Sequence, residues 1–297
     1  MKRHEALARV KNPASAATTP GGPRADTPGR RCPCARARRP RRIPVIIALL
    51  CPPPEAQPFA QILRPTMPHT SFDAVLFDCD GVLVDSERIT HIVLVQMLGE
   101  LGWTLSVDEA MSIFVGKMVK DEAARIERHT GVRITEAWLE GFRARRNTAL
   151  ERDLVAIPGA PVAVRAVHAA FDGRIAVASG ADRHKVELQL RKVDLLDCFE
   201  GRIFSGHETP RSKPHPDVYL AAAAGLNAAP QRCAVIEDTV TGARAGLAAG
   251  ATVFGYSPGA PGHSSARALR EAGVAHVFAD MAQLPALLAD WRCGASP

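Results

Sequence analysis

No CxxC pair occurs anywhere in the 297 residues, and the seven cysteines, an odd number, are scattered from Cys32 to Cys293. That scatter argues against a disulfide framework. It also argues against a thiolate zinc site, because Cys32 and Cys34 have no second pair to complete one. The thiols read as small apolar residues of a reducing compartment, so the protein is expected to be cytoplasmic. Missing too is a run of about 20 apolar residues able to span a bilayer. The stretch from Ile43 to Cys51 is broken by Pro44 and followed by three prolines, and no membrane partner is expected. A secretory signal needs a short basic start, whereas here the basic stretch extends to Arg42. Nor does a GxGxxG follow the first strand-like run, which removes the dinucleotide-binding reading.

What is present is ordinary for a globular chain: 46% hydrophobic and 23% charged residues, which excludes a wholly disordered or collagen-like protein. The length fits about two structural units. The formal charge of +6 is unevenly placed. Residues 1–66 hold 13 Lys and Arg against 3 Asp and Glu, and residues 67–297 hold 24 against 28. The body is therefore mildly acidic, and no nucleic-acid partner is expected. Thirteen of the 23 prolines fall between Pro13 and Pro68, together with Arg36, Arg38, Arg39, Arg41 and Arg42. With little apolar surface and much self-repelling charge, residues 1–70 are expected to form a disordered Pro/Arg-rich extension. Met67 directly precedes the onset of ordered patterning, and native translation is expected to begin there. A body with no evident exposed apolar stripe is expected to be monomeric.

The body alternates strand and helix. Ala74-Val75-Leu76-Phe77 is short and wholly apolar, as a strand buried on both faces of a parallel sheet requires. Similar runs recur at 175–178, 234–236 and 252–254, with weaker ones at 203–204 and 276–278. Helical stretches lie near 182–193, 216–225, 241–249 and 264–272. This rhythm predicts an α/β fold, a doubly wound parallel sheet with right-handed crossovers. It is broken once. From Ser86 to Ile157 no strand pattern appears; Ile89, Ile92, Val93, Gln96 and Met97 keep helical spacing, and amphipathic stretches follow near 107–115, 120–130 and 135–150. An inserted helical domain is expected over 88–157, with the core made of 71–87 and 158–297 and Pro158-Gly159 as the return hinge.

Open α/β sheets bind ligands at the carboxyl ends of their strands, and there the chemistry gathers. After the first strand come Asp78 and Asp80. After the second come Ser179 and Gly180. The 203–204 run is followed by the loop carrying Lys213, and the 234–236 run by Glu237 and Asp238. Asp78 and Asp80, two residues apart, can face one crevice. Close carboxylates repel each other and repel an anionic substrate. A divalent cation resolves both, and hard oxygen donors without clustered His or Cys favour Mg²⁺. Lys213 offers a compact positive charge to phosphate oxygens, and Ser179 with nearby backbone N–H groups adds donors. The pattern suits phosphoryl transfer.

With DxDGxxxDSE at 78–87, Ser179 at a strand end, Lys213 before Pro214, and Glu237-Asp238, the body resembles the haloacid dehalogenase (HAD) superfamily. All four of that family's motifs stand in order, each behind its own strand. The similarity is to the branch holding β-phosphoglucomutase and small sugar-phosphate phosphatases, 6-phosphogluconate phosphatase among them. The resemblance implies a Rossmann-like HAD core with an α-helical cap. It implies that Asp78 is the nucleophile forming an aspartyl-phosphate and that Asp80 is the general acid and base. Ser179, Gly180 and Lys213 would hold the phosphate. Mg²⁺ would be bound by Asp78, the Asp80 backbone carbonyl and Asp238, with Glu237 as ligand or supporting group. The expected function is a Mg²⁺-dependent phosphatase of a small phosphorylated metabolite, a sugar or sugar-acid phosphate.

Two alternatives stay open: a phosphosugar mutase, and a non-catalytic phospho-receiver-like module. Against the mutase, the histidine of β-phosphoglucomutase at the start of the cap corresponds to Thr90, with His91 one step late. Its cap arginine corresponds to Val119, with Lys120 one late. Against the receiver stands the 70-residue helical insertion. Gly116-Lys117 is a candidate cap loop, because glycine permits sharp turns. Gly242, Gly246 and Gly250 are expected to allow close helix–sheet packing. Cys79 should point away from the crevice. His215 and Asp217 read as a solvated turn and a helix-start charge, and Arg143, Arg145 and Arg146 as a solvated helix face, with the alternative that one of the three reads a substrate carboxylate or second phosphate.

Overall fold

A computed structural model describes residues 71–291; the expectations for residues 1–70 lie outside the described residues. Six strands run as β1 (Ala74–Phe77), β2 (Ile175–Ser179), β3 (Ile203–Ser205), β4 (Cys233–Glu237), β5 (Thr252–Tyr256) and β6 (His276–Phe278). They form one sheet in the order β3-β2-β1-β4-β5-β6, and every neighbouring pair is parallel. The chain winds outward from β1 to β3, then returns to β4 on the other side of β1. The β1/β4 boundary is thus a topological switch point, where the two crossovers diverge and leave a crevice.

Alternate strand residues point to opposite faces. Val75, Phe77, Ile175, Val177 and Ile236 enter one core, covered by α5 (Ala160–Ala170), α6 (Arg183–Lys192) and α10 (Leu284–Asp290). Ala74, Leu76, Ala176, Ala178 and Val235 enter the other, covered by α7 (Asp217–Gly225), α8 (Val240–Ala248) and α9 (Ala266–Ala272). The doubly wound α/β fold predicted from the strand pattern is what the structure has. Helix α5 was not among the expected elements, although Ala160, Ala163, Val164 and Val167 keep helical spacing and are buried.

Between β1 and β2 lie α1 (Glu87–Glu100), α2 (Val107–Phe114), α3 (Ala123–Thr130) and α4 (Glu136–Asp153). They share a separate apolar cluster built from Val93, Leu94, Met97, Leu98, Phe114, Ile126 and Phe142. Ser106 opens α2 with a reciprocal capping box to Glu109, and Thr135 caps α4, so each helix starts where a side chain satisfies its free N–H groups. A short 3₁₀ turn, Val119–Glu122, precedes α3 where one continuous helix was expected over 120–130. The segments leaving and returning to the sheet are tied together: the Asp85 amide donates to the Val155 carbonyl and the Ile157 amide to the Leu83 carbonyl, each at 3.0 Å.

Candidate active site

The parallel register Phe77↔Ile236 sets Asp78, the first residue past β1, level with Glu237, the last of β4. Adjacent strands lie about 4.8 Å apart, so the two carboxylates are neighbours by construction. Lys213 sits between them, its Nζ 2.7 Å from Asp78 Oδ1 and 2.7 Å from Glu237 Oε1. Tyr219, fully buried on α7, completes the cluster. Its hydroxyl donates to Glu237 Oε1 at 2.7 Å and stands 3.0 Å from Lys213 Nζ, while the ammonium lies 4.7 Å from the ring centre. Glu237 Oε2 accepts from the amides of Asp238 and Thr239 at 3.1 and 3.2 Å and from Thr239 Oγ1 at 3.1 Å.

Asp78, Glu237 and Asp238 each offer a carboxylate oxygen within 4.8 Å of the others, all buried. One ammonium does not balance three carboxylates in a low-dielectric site. Burial, with repulsion from Glu237 and Asp80, pushes Asp78 up to about 7 in spite of Lys213. Burial, Glu237 and Asp78 likewise hold Asp238 well above the usual carboxylate range. Burial works against the Lys213 ammonium, but Asp78 and Glu237 outweigh it and keep that group well above its ordinary value.

The Oδ1 of Asp238 is buried without a hydrogen-bond partner, and such an orphan costs free energy unless something pairs it. Three hard oxygen donors, excess negative charge and an orphaned buried oxygen together fit a hard divalent cation. Two glycines keep the space open. Gly81 adopts φ +78°, and a Cβ there would fall 2.2 Å from Asp238 Oδ2; a Cβ on Gly242 would fall 1.7 Å from Glu237 Oε1. Of the three spaced glycines, then, Gly246 packs against Val235 and Val253 as expected, whereas Gly242 makes room for a site carboxylate.

The Asp80 side chain stands outside that trio. Its Oδ1 accepts from Lys185 Nζ and Gln189 Nε2, each at 2.7 Å, and from the Ser86 hydroxyl. Burial alone would raise Asp80, but the Lys185 charge and these donors bring it down to about 2. Lys185 and Gln189 lie four residues apart on α6, so both reach the β1 end from one helix face. Ser179 ends β2, buried, and its Oγ accepts from the Ala181 amide at 3.1 Å. The Cys79 side chain turns into the core as expected.

A cavity of about 360 Å³ opens over this edge. Asp80, Gly180, Lys213 and Glu237 line it from the sheet, and Gly116, Lys117 and Arg143 from the inserted helices. Sequence reasoning assigned no role to Lys185, Gln189 or Tyr219. Their only prior signal is a polar residue at a helical position that apolar neighbours mark as inward-facing. Glu87, part of the quoted motif, also lines the cavity; burial and Asp80 push it up to about 7, and its Oε2 is 3.3 Å from His91 Nδ1. The expected solvated face of α4 holds only in part. Arg145 is solvated and paired with Glu100, but Arg146 is buried and bonded to Asp182 at 2.8 Å, because α4 lays that face on the start of α6.

Fold and site together define an α/β enzyme whose carboxylates and one lysine converge at a switch point between parallel strands. A family model described as haloacid dehalogenase-like hydrolase matches residues 72–250, and the chain belongs to that family of hydrolases. It is 33% identical over 183 residues to the 6-phosphogluconate phosphatase of Escherichia coli K12, spanning 61% of this chain and 81% of that protein. Hexitol phosphatase B of the same organism is 32% identical over 179 residues, spanning 59% and 79%. Among solved structures, a HAD family hydrolase from Deinococcus radiodurans R1, determined with bound phosphate and sodium, superposes with a TM-score of 0.59 at 39% identity. It covers 74% of this chain and 96% of that one.

Proposed function

We propose that the protein is a Mg²⁺-dependent phosphatase that hydrolyses a small phosphorylated metabolite, a sugar or sugar-acid phosphate, through an aspartyl-phosphate on Asp78. The observation that carries this reading is the buried trio Asp78, Glu237 and Asp238 with Lys213 among them, beside a small-molecule-sized cavity. The names of the E. coli relatives support the substrate class. In this reading residues 71–87 and 158–297 form the catalytic core and 88–157 the cap, and the enzyme is a cytoplasmic monomer. Among the described residues, Cys79, Cys198 and Cys233 are buried and unpaired, in keeping with a reducing compartment.

Asp78, the Asp80 backbone carbonyl and Asp238 would hold Mg²⁺, with Glu237 as ligand or supporting group. The ion would neutralise charge between these carboxylates and the phosphate and orient the phosphoryl group. The Asp78 carboxylate attacks phosphorus, the ester oxygen leaves, and Asp80 gives it a proton. Water then attacks the aspartyl-phosphate, Asp80 takes its proton, and inorganic phosphate departs. Asp80 rests as a carboxylate under Lys185, Gln189 and Ser86, the form that accepts a proton in the second half. To carry one in the first half it must loosen from these donors. Lys213, Ser179 and Gly180 position the phosphate oxygens. Asp78→Asn abolishes Mg²⁺-dependent phosphate release from p-nitrophenyl phosphate; retained activity would remove Asp78 from this role. Isomerisation of β-glucose 1-phosphate without free phosphate would instead favour the mutase.

A further inference from the structure

The loop after β5, residues 257–265, carries no carboxylate, yet it is bonded to both loops that carry the acidic residues past β1 and β4. His263 Nε2 stands 2.9 Å from the Gly81 carbonyl, across 182 residues of sequence. A carbonyl only accepts, so Nε2 bears the proton and donates. Nδ1 is buried without a partner among the described residues, so the ring's one hydrogen bond goes to Gly81. Tyr256, the last residue of β5, packs across that ring at 82° with centroids 5.6 Å apart. Adjacent Ser264 takes the other loop: its amide donates to the Asp238 carbonyl at 3.0 Å, and its Oγ accepts from the Val240 amide at 3.0 Å. The bonding loop is itself anchored. Ser257 donates its amide to the Phe278 carbonyl at 2.8 Å and its hydroxyl to the Ser264 carbonyl at 2.9 Å.

Gly81 turns the chain directly after Asp80. Its amide, in the same peptide plane as the Asp80 carbonyl, donates to the Val84 carbonyl at 2.9 Å, and its own carbonyl is the one His263 holds. Each peptide plane flanking Gly81 is therefore pinned by one hydrogen bond. A carboxylate side chain can re-aim at a cation by rotating, but a backbone carbonyl moves only with its loop. We propose that His263 is a positioning residue for the cation site. It pins the turn after Asp80 while Ser264 pins the start of α8 after Asp238, so that one loop sets the spacing of the two ligand-bearing loops for an ion of the size of Mg²⁺. The inference rests on the cation site of the phosphatase reading and adds what holds that site in shape.

The test is titration calorimetry of the full chain with Mg²⁺ and, separately, with Ca²⁺. Mg²⁺ tolerates little departure from octahedral geometry, whereas Ca²⁺ accepts irregular coordination, so a lost spacer is felt far more by the smaller ion. In His263→Ala and His263→Asn the Kd for Mg²⁺ is expected to rise about tenfold or more, as when a group supporting a metal ligand is removed, with a much smaller change for Ca²⁺. In His263→Gln, whose amide nitrogen sits as far along the side chain as Nε2, the Kd for Mg²⁺ should stay near the wild-type value; asparagine is one atom too short to reach Gly81. If the alanine variant does not fold, the glutamine and asparagine variants carry the comparison. A Kd for Mg²⁺ unmoved by shortening the side chain, a glutamine variant as weak as the asparagine one, or equal losses for both ions overturns the positioning role. The two failures separate cleanly. If the wild type and the shortened variants bind Mg²⁺ equally well, only the role of His263 falls; if the folded wild type binds no Mg²⁺, the cation site of the phosphatase reading falls and takes that role with it.

Discussion

Lys213 shows how much one side chain can carry. It contributes the only ammonium within hydrogen-bond reach of Asp78 and Glu237 among the described residues, and it is buried with them. Removing one partner from such a cluster leaves the others charged and unpaired, a loss on the order of 3–5 kcal/mol when fully buried. Lys213→Met is therefore expected to lose phosphatase activity and to lower the denaturation midpoint in urea, whereas a purely phosphate-binding lysine would leave stability unchanged. Gly81→Ala acts on the same site from another side: the positive φ disfavours any side chain and the new methyl meets Asp238. Titration calorimetry should show weaker Mg²⁺ binding in that variant. At this scale the sequence was a good guide wherever a residue directly follows a strand, because a strand end fixes position. Lys185 and Gln189 are marked only weakly, as polar residues at inward-facing helical positions, because they reach Asp80 from a helix whose rotation is decided by packing.

Between elements, the junction of α4 with the start of α6 rests on Arg146 and Asp182. Asp182 also caps α6, accepting from the Lys185 amide at 2.9 Å, so one carboxylate both starts the helix bearing Lys185 and docks the inserted helices. Its folded pKa is lowered: burial opposes, but the Arg146 charge and hydrogen bond prevail. The stability it contributes is present above the unfolded pKa of 3.8 and is lost as pH falls through the lower folded value. Arg146→Met should cost about 1–2 kcal/mol near neutral pH, discounted because Asp182 keeps some solvent contact. That cost should shrink at pH 3 in urea unfolding; a penalty independent of pH would mean that Arg146 acts by packing alone. The strands were legible because residues buried on both faces leave continuous apolar runs. Arg146 was misread because charge patterning reports what a helix can present to water, not which neighbour covers it.

At the scale of the whole molecule, the fold concentrates charge where it stabilises least. Crossovers diverging at β1 and β4 bring Asp78, Glu237 and Asp238 together and bury them, so the metal-free protein is strained by its own site. With Asp78 raised to about 7 in the folded state against 3.8 unfolded, the native protein binds more protons than the unfolded chain between those values. Metal-free stability must then fall as pH rises from about 4 to 7. Asp238, raised in the same direction, adds to the slope. A divalent cation removes its cause, and a ligand at 100 times its Kd adds about 2.7 kcal/mol of stability, or roughly 5–10 °C in Tm for a folded unit of about 220 residues. Calorimetry in chelator should therefore show Tm declining across that pH range, and added Mg²⁺ should restore it most at the upper end. Asp238→Asn should raise the metal-free Tm near pH 7 and abolish the response to Mg²⁺. A variant that lost stability in chelator while still responding to the ion would show that the trio is held together by something other than the cation it is shaped to bind.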